Sequence, residues 1–166
     1  MARIVLSDAS PLIGLAIVNG LDWLPRLFGE VWIPASVQQE VLPGVQARGE
    51  LEISQALSLK HMRVWSATIP KPRKSLGDLD AGEMDCLSIA LSLPAGHCLV
   101  LMDERAGRAT AKELGIQVAG TAAVIGMAKK KGLVPSAKAC FARLHASDFR
   151  IGKEVIQAVL AQVGEA

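Results

Sequence analysis

Residues 3–16 read RIVLSDASPLIGLA, a continuous apolar run, a single aspartate, a Ser-Pro pair and a second apolar run. The first run, residues 3–7, is short, β-branched and not alternating, as a strand covered on both faces should be. Asp8 stands at its C-terminal end. Ser10 followed by Pro11 reads as a helix start, because the hydroxyl can cap free backbone N–H groups and proline fits the first helical position. The helix expected there runs over about residues 11–18 and closes at Asn19-Gly20.

The pattern recurs in CLVLMD, residues 98–103, an apolar strand ending in Asp103. Around these two anchors the spacing predicts a short helix over LDWLPRLFG, a strand EVWIP and a helix SVQQEVL, with Ser36 and Gln39 spaced as a capping box. A helix near 48–60, a strand MRVWS and an exposed basic loop, ATIPKPRKSLGD, come next. The helix LDAGEMDCLSIALSL precedes CLVLMD; a helix near 104–114, a strand IQV and helices near 121–131, 136–146 and 152–163 complete the chain. Strands separated by helices imply βαβ crossovers, hence an α/β fold with a mainly parallel sheet and helices on both faces. Ligands of such sheets bind beyond the carboxyl ends of the strands, where strand order reverses. Asp8 and Asp103 both fall there.

A chain of 166 residues with 51% hydrophobic content predicts one domain. Its net charge of +2 is too small to mark a nucleic-acid binder, so any basic surface must come from local clustering. Cys86, Cys98 and Cys140 are odd in number and form no C-x-x-C pair, which argues against a disulfide framework or a structural zinc site and for a reducing cytoplasm. No apolar run approaches a membrane span. The apolar N-terminal stretch is interrupted by Asp8 and shows no cleavage pattern of a targeting signal.

Acids also recur near helix starts, at Glu40, at Glu83 and Asp85, and at Glu104. Clustered carboxylates repel one another and burial raises their pKa values, so a site with three or four of them calls for bound cations. No H-E-x-x-H or paired histidine spacing is present; His61, His97 and His145 read as surface or loop residues, and all-oxygen ligation suits Mg²⁺ or Mn²⁺. Glu83 and Asp85, two apart on a helix, cannot point the same way. Asp80 and Glu83 have capping-box spacing, which favours Asp85 as the ligand; Glu40 reads equally as an acid placed by a helix dipole. There is no G-x-x-x-x-G-K-[ST] loop and no G-x-S-x-G elbow, and GIQVAGTAAVIG does not make G-x-G-x-x-G.

The series LSDASPLIGLA, GEVWIPASVQQEVL, LDAGEMDCLSIAL and LVLMDERAGRATAKELGIQVAGT resembles PIN-domain proteins, especially the compact prokaryotic ones related to VapC toxins. The likeness runs from residue 3 to about 130; residues 132–166 read as a C-terminal helical extension of the one domain. It implies a three-layer α/β/α sandwich and a metal-dependent ribonuclease, often dimeric and often paired with a small antitoxin. The family acids match Asp8, Glu40, Asp85 or Glu83, and Asp103, with Asp8, Asp85 and Asp103 as metal ligands and Ser10 as a supporting polar residue. The middle helix offers Gly-Glu-x-Asp where the family has one clear aspartate, and MDERAGR replaces a Thr-Arg/Asn-Asp type of segment. One or two Mg²⁺ or Mn²⁺ ions would activate water and stabilise the leaving oxygen of an RNA phosphodiester. Lys71, Arg73, Lys74, Arg105 and Arg108, with Lys129 to Lys131, are candidate phosphate contacts. Two other readings stand beside this one: a PIN-fold RNA- or partner-binding module with weak catalysis, and a phosphatase with Asp8 as nucleophile.

Overall fold

A computed structural model describes residues 3–71 and 76–166. Among these residues five strands form one sheet, all parallel, in the order β3-β2-β1-β4-β5. The strands are β1 (Ile4–Ser7), β2 (Val31–Ile33), β3 (Arg63–Val64), β4 (Cys98–Leu101) and β5 (Gln117–Ala119). The two central strands are the two continuous apolar runs. Val5, Leu6 and Ser7 of β1 and all four residues of β4 are buried, as strands covered on both faces must be. The edge strands are shorter and carry the exposed Arg63 and Gln117, which suits a position with solvent at one side.

The connecting helices are α1 (Ala9–Ile17), α2 (Trp23–Phe28), α3 (Ala35–Val41), α4 (Glu50–Ser58), α5 (Ala81–Ser92) and α6 (Arg105–Glu113). After β5 come α7 (Thr121–Lys130), α8 (Ala137–Ala146) and α9 (Lys153–Gln162). On one side α1 packs with α4, α7 and α8, while α5 packs against β1 and β4 and α6 against β5. The result is a three-layer α/β/α sandwich. Residues 132–166 are joined to it through apolar side chains: Cys140, Phe141 and Leu144 of α8 and Val159 of α9 belong to the same buried core as Leu6 and Leu101. Cys86 and Cys98 are buried there too.

The chain winds outward from β1 through β2 to β3, then returns to the other side of β1 at β4. Strand order therefore reverses between β1 and β4. Their register pairs Ile4 with Cys98 and Ser7 with Leu101, so both strands end at one level. The Asp8 N–H extends the ladder by donating to the Leu101 carbonyl at 2.9 Å. Asp8 and Asp103 thus lie at the carboxyl edge of the sheet, beside the reversal point.

Two capping expectations are corrected. Helix α1 begins at Ala9 with Asp8 at its N-cap, and α3 begins at Ala35 with Pro34 at its N-cap. Ser10 and Ser36 therefore stand inside the first turn, where a hydroxyl no longer faces the free N–H groups ahead of it. Each instead donates to a carboxylate of another element, Ser10 to Asp103 at 2.8 Å and Ser36 to Asp85 at 2.6 Å. The Asp80–Glu83 capping box does form: Asp80 Oδ1 accepts from the Glu83 N–H at 2.8 Å, and Glu83 Oε1 accepts from the Asp80 N–H at 3.3 Å. At the other edge, Trp32 and Trp65 meet edge-to-face with ring centroids 5.6 Å apart, tying β2 to the end of β3.

Candidate metal centre

The end of β1 and the start of α5 bring Asp8, Asp80 and Glu83 together, with one carboxylate oxygen from each lying within 4.8 Å of the others. Asp8 is held by the backbone ladder between β1 and β4, and Glu83 by the capping box that starts α5. Asp8 and Glu83 are buried, 3% and 5% exposed, whereas Asp80 is open to solvent. Among the described residues, Asp8 Oδ1 and Glu83 Oε2 are buried with no hydrogen-bond partner. Leaving such a group unsatisfied costs about 1–3 kcal/mol, more if it is charged.

Electrostatics point the same way. Burial pushes the Asp8 carboxyl up to about 7; the Ala9 amide pulls it down, and the charges of Asp80, Glu83 and Glu40 raise it further. Glu83 is also raised to about 7, by burial first and then by its contact with Asp80. Glu40, exposed on α3, is raised by desolvation and by Asp80, which places it in the same negative field. Like-charged carboxylates in one place either hold protons or attract a cation.

A cation fits this site. Two unpartnered oxygens point to a missing partner, the donor set is all carboxylate, as Mg²⁺ and Mn²⁺ prefer, and Gly82 leaves the space open. A Cβ on Gly82 would lie 2.8 Å from Asp8 Oδ1 and 3.0 Å from Val37 Cγ2.

The other predicted residues lie outside this group of three. Asp85, half-buried on α5, accepts the Ser36 hydroxyl and faces α3. Asp103 takes three hydrogen bonds, from Ser10 Oγ at 2.8 Å, the Thr121 N–H at 2.7 Å and Thr121 Oγ1 at 2.7 Å. Of the basic candidates, Lys71 and Arg105 are exposed, and Arg73 and Lys74 lie outside the described residues. Arg108 is half-buried and donates to the Met102 carbonyl at 3.0 Å. Lys129 and Lys131 donate to the carbonyls of Pro135 and Arg26, so both are tied to the backbone of neighbouring segments. A groove of about 960 Å³ opens beside Asp103 and is lined by Ser10, Asp103, Arg108, Gly120, Lys130 and Arg150 among others.

Asp80 and Thr121 were not among the residues singled out for chemistry. Asp80 was legible only as a cap; the same carboxylate serves that role with Oδ1 and also reaches the acidic group. Thr121 sits in GIQVAGTAAVIG, a tract without a phosphate-loop pattern, and nothing local marks it.

A family model described as PIN domain matches residues 4–165. No curated protein matches the chain.

Proposed function

The chain belongs to the PIN-domain family, whose members are generally nucleases, and on that premise we propose that it is a metal-dependent endoribonuclease centred on Asp8, Asp80 and Glu83. The observation that carries this reading is the pair of buried, unpartnered oxygens, Asp8 Oδ1 and Glu83 Oε2, in one group of three carboxylates. Glu83 is the middle-helix acid of this proposal, because it belongs to the group of three and keeps one buried oxygen without a partner among the described residues, whereas Asp85 faces Ser36 on α3. Asp103 is the fourth acid, with Ser10 supporting it, and Glu40 stands at the rim.

A Mg²⁺ or Mn²⁺ bound there would supply a water of lowered pKa and positive charge at the phosphoryl oxygens. The chain's own residues do the rest. Asp8, Asp80 and Glu83 would hold the cation, with Asp103 as a further ligand of this proposal. Glu40, whose carboxyl keeps its proton more firmly than an ordinary glutamate through desolvation and Asp80, is placed to accept a proton from water or return one. Lys71 and Arg105, both exposed, draw the phosphate backbone toward an otherwise repulsive edge. RNA cut this way would carry a 5′-phosphate and a 3′-hydroxyl.

The likeness to VapC-type proteins extends the proposal to a cytoplasmic toxin, homodimeric and held by a cognate antitoxin. The surplus of carboxylates at Asp8, Glu40, Asp80 and Glu83 supports the last part, since an inserted arginine or lysine would relieve their repulsion. An antitoxin that leaves access to the metal site unchanged would count against it.

The test is cleavage of a panel of structured and single-stranded RNAs by purified protein in Mg²⁺, in Mn²⁺ and in chelator, beside Asp8→Asn. Metal-dependent cutting that disappears in the variant is the expected result. Equal trace cutting by two folded proteins would overturn the proposal and favour a binding module; hydrolysis of small phosphoesters with trapping by fluoride analogues would favour the phosphatase.

A further inference from the structure

We infer that Thr121, with Gly120 before it, is a positioning residue that fixes the Asp103 carboxylate for metal binding, an inference that rests on the reading above. Asp103 stands two residues beyond the end of β4, on the short connection to α6. Its partners come from two remote elements. Oδ2 accepts from both Ser10 Oγ of α1, at 2.8 Å, and Thr121 Oγ1 of α7, at 2.7 Å; Oδ1 accepts from the Thr121 N–H at 2.7 Å. A carboxylate has about four acceptor directions. Three of them are occupied, so the side chain is fixed in rotation and only one direction, on Oδ1, is left for anything else.

Thr121 is fully buried and contacts Asp103 with two groups, so it sets both the position and the tilt of the carboxylate. Two glycines make this contact possible. A Cβ on Gly120 would lie 2.8 Å from Asp103 Oδ1, and one on Gly14 would lie 2.9 Å from Thr121 Cγ2 and 3.1 Å from Thr121 Oγ1. Gly14 stands one turn after Ser10 on the same face of α1. Its missing side chain lets α7 approach closely enough for the hydroxyls of Ser10 and Thr121 to share one oxygen. A carboxylate at the N-terminus of α7 would also arise if Asp103 were only a helix cap. That role accounts for the Thr121 N–H but not for two hydroxyls converging on Oδ2.

The measurement is Mn²⁺ binding by titration calorimetry to the metal-free full chain, for wild type, Thr121→Val and Thr121→Ser, with thermal unfolding of each. Thr121→Val keeps the shape and removes the hydroxyl; residues that orient a metal ligand typically contribute roughly 10- to 100-fold in affinity. The expected result is a loss of that size in Thr121→Val, with near-normal binding in Thr121→Ser and a matching rise in the Mn²⁺ concentration that half-saturates RNA cleavage. Unchanged affinity with a lower melting temperature would overturn the proposal and leave Asp103 as a cap. Should Thr121→Val not fold, Gly120→Ala, which puts a methyl 2.8 Å from Asp103 Oδ1 and 3.1 Å from Arg108 Nη1, should show the same loss; unchanged binding there overturns the inference equally. Absence of Mn²⁺ binding to the wild type would remove the metal-dependent reading itself, and with it this role, before any variant is compared.

Discussion

Asp8, just after the first strand, and Glu83 of the middle helix each keep one buried carboxylate oxygen without a hydrogen-bond partner among the described residues, and they do so in the same acidic group. Burial first, and the neighbouring acids after it, raise the cost of ionising either one, so the metal-free fold is under electrostatic strain at the place where a cation would relieve it.

The first consequence is an unusual dependence of stability on pH. Asp8 rises from 3.8 to about 7 and Glu83 from 4.5 to about 7 on folding, so the folded chain binds more protons than the unfolded chain across that window. Stability without metal should therefore be greatest near the acid end, fall as pH rises toward 7 and level off above it. For Asp8 the loss by pH 8 is on the order of 4 kcal/mol, since a tenfold change in proton affinity is about 1.4 kcal/mol. Thermal unfolding in chelator should give a lower melting temperature at pH 8 than at pH 5. Asp8→Asn should flatten that profile and melt higher than wild type at pH 8, and excess Mn²⁺ should restore the wild type there. A wild-type melting temperature that climbs steadily from pH 5 to 8 in chelator would contradict this account.

Glu83 and Asp85 can be separated by charge-neutral variants. Glu83→Gln should lower kcat/KM for RNA by roughly two orders of magnitude or more, the scale of several kcal/mol of lost charge stabilisation. Asp85→Asn should leave cleavage within a small factor and cost about 1 kcal/mol of stability by weakening its bond to Ser36. Kinetics and denaturant unfolding on both variants decide it, and the reverse ranking would move the third acid to Asp85.

Gly82→Ala brings a methyl to 2.8 Å from Asp8 Oδ1 and 3.0 Å from Val37 Cγ2. Alanine normally favours a helix over glycine by roughly 0.5–1 kcal/mol, but overpacking typically costs 1–3 kcal/mol. Net destabilisation and weaker Mn²⁺ binding are expected. A variant more stable than wild type with unaltered Mn²⁺ affinity would show that Asp8 has room to shift.

The C-terminal segment makes its own prediction. Glu165 accepts from Ser136 Oγ at 2.7 Å and from the Ala137 N–H at 2.6 Å, so it closes the start of α8 from the end of the chain. These hydrogen bonds, Ser136 foremost, hold its carboxyl below the usual range. Its contribution is present above the ordinary glutamate pKa of 4.5 and is lost as pH falls through the lowered value. Glu165→Gln should lower the melting temperature at pH 7 and change little at strongly acidic pH; equal effects at both would rule out a role for its charge.

Much of this was legible in one dimension. RIVLSD and CLVLMD announce central parallel strands, because a strand covered on both faces must be apolar throughout, and each places an aspartate at the carboxyl edge. The Asp80–Glu83 spacing was legible as a cap because a capping box is local, confined to one turn of chain. Which acids meet was decided by tertiary structure. Glu83 and Asp85 differ by roughly 200° around a helix axis, and the packing of α5 against β1, β4 and α3 sets which of them turns toward Asp8. Ser10 and Ser36 carry the same lesson. A hydroxyl in a first turn looks like a cap from sequence, yet its partner here is a carboxylate on another element, and hydrogen bonds across such separations exist only once the layers have docked.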